Sequence, residues 1–272
     1  MTDDATVRVG FVGVGSQGGP MARQIARAGH PTTIWARRPD ALDPFRGSGA
    51  SFAATPAELA AASELICVCV VNDDDVNEVV EAMLPSVTPG STVAVHSTVH
   101  PATCDTLAAK LGERGASLID APVSGGGPAA EAGNLVVMVG GADDEFERFR
   151  PVFATYGDPV LHVGPRGSAL IAKLINNALM MAQVTLADDA LTVADALGID
   201  RSALTTIVSS GSGSSFSFGI LAALGSIGAF ADVGADLLRK DVDILTDVLT
   251  TRLVAAGDLV AVADHGLERG GR

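Results

Sequence analysis

The chain has 272 residues, enough for one large domain and a smaller one, which excludes a miniature fold held by disulfides. Its 32 acidic against 18 basic residues give a formal net charge of -14, which repels phosphate backbones and anionic membranes, so neither nucleic acid nor a membrane is an expected partner. Cys67, Cys69 and Cys104 are too few for a disulfide framework and point to a reducing, cytoplasmic compartment.

In chain order, Val7 to Gly13, Thr32 to Trp35, Leu65 to Val71 and Thr92 to Val95 read as short strands, apolar on both faces. Helical patterns at Met21 to Ala28, Val76 to Met83 and Thr103 to Leu111 separate them. The alternation predicts βαβ units around a parallel sheet covered by helices on each side, a doubly wound Rossmann domain. Cys67 and Cys69 share one side of a strand, as buried thiols rather than a metal clip, and no metal is assigned. Ser117 to Ile119 and Leu135 to Val139 flank a glycine-rich loop, Asp143 to Phe153 reads as a helix, and the sheet continues to about His162.

Beyond Gly167 the texture changes. Ser168 can cap a helix that runs without Gly or Pro to Leu197, where Gly198 ends it, and the rest is helical in pattern apart from the loop Ser209 to Ser217. The expected fold class is α/β: a Rossmann domain over residues 1–166, then an all-helical domain over 167–272, joined by the long helix. Its half from Ala169 to Leu186 is apolar nearly all round, so other elements should wrap it, a partner subunit among them; a homo-oligomer, dimer or tetramer, is expected. No apolar run approaches the roughly 18 residues of a membrane span, and no N-terminal stretch has the pattern of a signal peptide.

Gly13-Val14-Gly15-Ser16-Gln17-Gly18 follows the first strand and opens a helix with Pro20 in its first turn. That context suits dinucleotide binding: a tight turn, close backbone approach to a pyrophosphate, and a helix N-terminus aimed at the anion. Selectivity for the adenosine ribose is usually set at the end of the second strand, here Trp35-Ala36-Arg37-Arg38-Pro39. No carboxylate precedes Asp40, whereas Arg37 and Arg38 can meet a 2′-phosphate, so NADP is favoured over NAD.

Five blocks taken together carry a resemblance: Gly13 to Ala22, Ser97-Thr98, Asp120-Ala-Pro-Val-Ser-Gly-Gly126, Lys173-Leu-Ile-Asn-Asn177 and Lys240-Asp241. In this order they resemble the β-hydroxyacid dehydrogenase family over nearly the whole chain. The resemblance implies an NAD(P)-dependent interconversion of a small β-hydroxyacid and its aldehyde or keto form. It implies that Gly13 to Gly18 bind the cofactor, with Val70, Val71, Thr98 and Lys240 also along it. By the same resemblance Ser124, Gly125 and Gly126 contact the substrate carboxylate, Lys173 is the general acid/base, and Asn177 positions the substrate. Val71 stands where the family usually has Pro, and Gln17 where it has Met.

The residues themselves support that chemistry. Hydride transfer to a carbonyl leaves an alkoxide that needs a proton, and the reverse reaction needs a base at the same oxygen. Lys173 is the one charged residue between Arg166 and Asp188, and burial among Leu170, Ile171, Leu174 and Ile175 should lower its pKa toward that task. Asn177 lies one helical turn later on the same face. The glycines around Ser124 can present backbone N–H groups to a carboxylate. His96 and His100, which flank Ser97-Thr98, have no identifiable orienting carboxylate and read as structural or surface residues. Phe216, Phe218 and Phe230 can wall an apolar pocket, but core packing is the expected role of each. Two alternatives remain open: an imine reductase, which resembles this family but carries Asp or Tyr where Lys173 stands, and a dinucleotide-binding module without catalysis.

Overall fold

Strands build the first part of the chain, the central ones (Val9–Val12, Leu65–Val68 and Thr92–Val95) buried on both faces. The computed structural model, which describes residues 6–271, places β1 (Val9–Val12), β2 (Thr32–Trp35), β3 (Ser51–Phe52), β4 (Leu65–Val68), β5 (Thr92–Val95) and β6 (Ser117–Asp120) side by side in the order β3-β2-β1-β4-β5-β6. All these neighbours pair in parallel. Helices α1 (Gly18–Arg27), α2 (Pro56–Ala61), α3 (Asp73–Met83) and α4 (Pro101–Gly112) make the crossovers, and a 3-10 segment over Pro39–Phe45 links β2 to β3. Alternate strand residues feed opposite cores: Phe11, Cys67 and Ala94 pack on one side, Val12, Val68 and Val95 on the other.

After β6 the chain reverses. It forms β7 (Val123–Ser124), α5 (Gly126–Ala132), β8 (Leu135–Gly140), α6 (Asp143–Phe153) and β9 (Gly157–Gly164). Strand β8 runs antiparallel to both β6 and β7, and β9 pairs parallel to β8, completing nine strands. The segment expected as a glycine-rich loop is mostly α5: its glycines make the turn, but Pro128 to Ala132 holds only residues that a helix accepts.

The long helix α7 spans Ser168–Ala196 and is followed by α8 (Arg201–Ser210), α9 (Phe216–Leu224), α10 (Ile227–Thr251) and α11 (Leu259–Arg269). By packing, the chain divides between Lys173 and Leu174. The first turns of α7 belong with the sheet, because Leu170 sits in the core that holds Val68 and Val95. Beyond them, Leu174, Ala178 and Met181 pack with Phe218, Leu221, Val242 and Leu267. Helix α11 lies close on α7, since a Cβ at Gly266 would fall 1.8 Å from Thr185 Oγ1. One sequence expectation is corrected here: Ser168–Ala196 is long and apolar enough to cross a membrane by length and composition, with half of its most apolar window buried inside the fold. Counting unbroken apolar residues misses it, because Asn176, Asn177, Gln183 and Thr185 interrupt the run without adding charge.

Candidate active site

The fingerprint turn leaves β1 at the switch point of the sheet, between β1 and β4, where the strand order runs outward on both sides and where doubly wound sheets bind their ligands. Two of its glycines are required by the chain's own packing. Gly13 has φ 90°, and a Cβ there would lie 2.0 Å from the carbonyl oxygen of Cys69, just past β4; at Gly18 a Cβ would lie 1.9 Å from the Gly13 carbonyl oxygen. Gly15 differs. It is exposed beside Ser16, its φ lies outside the left-handed region, and a Cβ on it would meet nothing within 4 Å. A glycine that packing does not demand, at the N-terminal entrance of α1, leaves room for backbone approach by a phosphate, so the turn fits a dinucleotide.

Neighbouring segments close on this turn. The Ser97 hydroxyl accepts a hydrogen bond from the Val70 N–H at 2.8 Å, so the ends of β4 and β5 hold each other, with Val71 60% exposed and Thr98 half-buried. Asp73 accepts from the His100 N–H at 2.9 Å and from the Thr103 hydroxyl at 2.6 Å, joining α3 to the start of α4. His100 is itself the cap of α4, its Nδ1 accepting from the Ala102 N–H. Ser124 is half-buried in β7, opposite Val136 of β8. The glycines after it press on the fingerprint: a Cβ at Gly127 would come 3.2 Å from the carbonyl oxygen of Ser16. Gly125 and Gly126, at φ 131° and 72°, take backbone conformations that L side chains rarely adopt.

At the end of β2 the geometry adds something that a reading along the loop does not reach. Arg37 donates through Nη2 to Asp75 Oδ1 at 2.9 Å and Glu78 Oε2 at 3.0 Å, both on α3, and these carboxylates raise its pKa. Arg38 is exposed at the head of the 3-10 segment. Asp40 remains the first carboxylate after β2, yet two others reach Arg37 from another crossover.

His96 and Asp120 lie beneath the site. His96 is buried and structural: its Nδ1 lies 2.6 Å from the Ala121 carbonyl, which can only accept, so Nδ1 carries the proton and Nε2 accepts from the Tyr156 hydroxyl at 3.3 Å. Burial lowers its pKa to about 4. Burial likewise pushes the thiol of Cys69, half-buried against the core, up to about 11 and that of the fully buried Cys67 higher still, so both stay protonated and unreactive. Asp120, fully buried, accepts from the N–H groups of Gly167 at 2.7 Å and Leu170 at 2.9 Å. Its pKa is raised by burial, with those amides pulling the other way. The amides at the head of α7 are thus satisfied from β6, although the sequence suggested Ser168 as the cap.

On α7, Lys173 is 9% exposed and Asn177 8% exposed, one turn apart. Within the helical unit Asn177 donates through Nδ2 to Asp241 Oδ2 at 2.6 Å and accepts at Oδ1 from Asn176 Nδ2 at 3.1 Å. Lys240 Nζ stands 3.1 Å from the other oxygen of the buried Asp241, close enough for an ion pair but without hydrogen-bond alignment. Phe218 and Phe230 are core, whereas Phe216 is 73% exposed and leaves the core set expected from sequence. Sequence reasoning missed Asp75, Glu78 and the roles of Asp120 and Asp241, although the last two stood inside the quoted blocks.

Residues 8–164 match the family described as the NAD binding domain of 6-phosphogluconate dehydrogenase, and residues 167–266 match the NAD-binding domain of NADP-dependent 3-hydroxyisobutyrate dehydrogenase. The chain belongs to the β-hydroxyacid dehydrogenase family. This β-hydroxyacid dehydrogenase is 31% identical over 254 residues to human mitochondrial 3-hydroxyisobutyrate dehydrogenase, covering 89% of this chain and 76% of the human one. It is 30% identical over 209 residues to the NAD-dependent L-serine dehydrogenase of Pseudomonas aeruginosa, covering 76% of this chain and 70% of that one. The crystal structure of 3-hydroxyisobutyrate dehydrogenase from Salmonella typhimurium matches with a TM-score of 0.83 at 28% identity, over 97% of this chain and 93% of the other. The family and fold make this β-hydroxyacid dehydrogenase an NAD(P)-dependent oxidoreductase acting on CH–OH groups.

Proposed function

We propose that the chain oxidises a small β-hydroxyacid, or reduces the matching aldehyde or keto acid, with NADP(H) as the preferred cofactor and Lys173 as general acid/base. The observation that carries this reading is Lys173 itself: a lysine buried on α7, with Asn177 one turn away, in a chain whose fingerprint glycine Gly15 leaves open space. The substrates named for the two relatives, 3-hydroxyisobutyrate and L-serine, both carry a carboxylate with a hydroxyl on the β-carbon.

In this reading Ser124 and the amides of Gly125 and Gly126 hold the carboxylate. Neutral Lys173 takes the hydroxyl proton in oxidation and, once protonated, returns it in reduction. A nicotinamide cofactor, held by the Gly13 to Gly18 turn, would supply the hydride-transfer chemistry when bound. Asn177 keeps one Nδ2 hydrogen and one Oδ1 lone pair for the substrate, because Asp241 and Asn176 engage the others. Gly13 to Gly18 receive the pyrophosphate, Val70, Val71, Thr98 and Lys240 line the cofactor, and Arg37 and Arg38 favour the 2′-phosphate.

The homo-oligomer reading draws support from α7, where Ile175, Leu179, Leu186 and Val193 are all exposed. At about 100° per residue they fall within about 40° of one another, an apolar stripe about 27 Å long on the side opposite Lys173 and Asn177. The free thiols Cys67, Cys69 and Cys104 support a reducing, cytoplasmic compartment. The function is tested by following nicotinamide absorbance with NADP and with NAD against 3-hydroxyisobutyrate, L-serine and other β-hydroxyacids. Turnover of at least one, faster with NADP, is expected; tight NADPH binding with no turnover of any would overturn the reading in favour of a non-catalytic module.

A further inference from the structure

We infer that Asp120 is the positioning residue of this active site: a buried carboxylate on the sheet that caps α7 and thereby sets Lys173 in register with the Ser124 segment. The inference rests on the reading of Lys173 as acid/base.

Helix α7 begins inside the protein, where Gly167, Ala169 and Leu170 are buried and water cannot serve its orphan amides. Its own sequence supplies no acidic residue in the first turn. The acceptors come instead from Asp120, the last residue of β6, with Oδ1 on the Gly167 N–H and Oδ2 on the Leu170 N–H. Both oxygens therefore face donors, and a negative charge at a helix N-terminus is favourable.

The same residue governs both halves of the site. On one side, Leu170 is three residues before Lys173, so the bonded amide sits about 4.5 Å of helix rise from the lysine. On the other, Asp120 runs directly into Ala121, whose carbonyl is held by His96 at 2.6 Å, and on through Pro122 and Val123 to Ser124. A shift of the carboxylate moves the lysine-bearing turn relative to the serine-bearing strand. The opposite strand is shaped to leave it space: a Cβ at Gly140 of β8 would lie 2.5 Å from Oδ1 and 2.8 Å from Oδ2.

Two variants of the full chain test this, Asp120→Asn and Gly140→Ala, the second displacing the carboxylate from another element. Lys173→Ala is measured first with 3-hydroxyisobutyrate and NADP; retained turnover there would remove the premise, and that failure is distinct from failure of the cap. With the premise intact, each variant should lower kcat by about 10- to 100-fold, the scale of an ångström-sized misplacement. NADPH affinity by fluorescence titration should stay within about twofold. A solvent deuterium isotope effect on kcat should grow as proton transfer becomes limiting, and amide exchange should quicken over residues 165–175. A cap that serves folding alone would lower Tm while leaving kcat and the isotope effect of the folded protein unchanged, and that result would overturn the inference. Should Asp120→Asn fail to fold, Gly140→Ala decides between the same two outcomes.

Discussion

The three fingerprint glycines should separate cleanly when each is replaced by alanine, because only two are needed by the chain itself. At Gly15 the added methyl meets nothing within 4 Å and the backbone is outside the left-handed region. Gly15→Ala should therefore leave stability unchanged or raise it by about 0.4–1 kcal/mol, through the lower entropy of the unfolded chain. The same methyl occupies the approach to the helix N-terminus. Losing one charge-assisted amide bond to a phosphate costs about 1.5–3 kcal/mol, which corresponds to a Kd for NADPH raised roughly 10- to 150-fold. Gly18→Ala should lose stability and binding together, since its Cβ would lie 1.9 Å from a backbone oxygen that no side-chain movement can clear. Thermal unfolding and fluorescence titration of NADPH on the same samples measure both quantities. Unchanged NADPH affinity in Gly15→Ala, or unfolding as severe as in Gly18→Ala, would refute the assignment of the pyrophosphate to this turn.

Three further outcomes follow from the geometry. His96, with its pKa lowered to about 4 from 6.5, stays neutral in the fold while the unfolded chain takes up a proton, so its contribution to stability is complete above pH 6.5 and is lost as pH falls toward 4. The loss is on the order of 3 kcal/mol and should appear as the extra pH dependence of denaturant unfolding in the unmodified protein relative to His96→Gln; parallel curves would contradict it. The double variant Asp75→Asn with Glu78→Gln releases Arg37 and removes two negative charges, so NADPH should bind roughly 2- to 10-fold tighter with NADH little changed, whereas equal gains for both would take Arg37 away from the 2′-phosphate. Ser124→Ala should raise KM for the hydroxyacid with kcat within a few fold, and unchanged KM would make that turn purely structural.

The strands were legible in the sequence because burial, on both faces in Thr92 to Val95 and mainly on one in Thr32 to Trp35, leaves β-branched and apolar runs that end where the structure ends them. Short elements were harder. Helix α2 is six residues long, yet Thr55 caps it by accepting from the Glu58 N–H and Glu58 accepts from the Ala54 N–H one residue before the cap, a variant of the capping box visible as Thr-Pro-Ala-Glu that a search for apolar periodicity passes over. The reversal at β8 was hidden, because Leu135 to Gly140 is equally apolar whichever way it runs. At the candidate site, single residues with a local signature could be singled out as candidates: the glycines, Ser124, Lys173 and Asn177. What could not be read was pairing across the fold. Arg37 meets Asp75 and Glu78, and Asp120 meets Leu170, only because separate crossovers converge, and no spacing along the chain encodes that.

The central claim, that Lys173 carries the proton, is tested most directly by Lys173→Ala in the full-length protein, with NADPH binding and turnover of 3-hydroxyisobutyrate or L-serine measured side by side. NADPH affinity should be nearly intact while turnover falls by about 10²–10⁴-fold, the usual worth of a positioned proton-transfer group. Lys173→Arg should not restore it, because a guanidinium gives up its proton poorly. A folded Lys173→Ala protein that keeps near-normal turnover would contradict the mechanism.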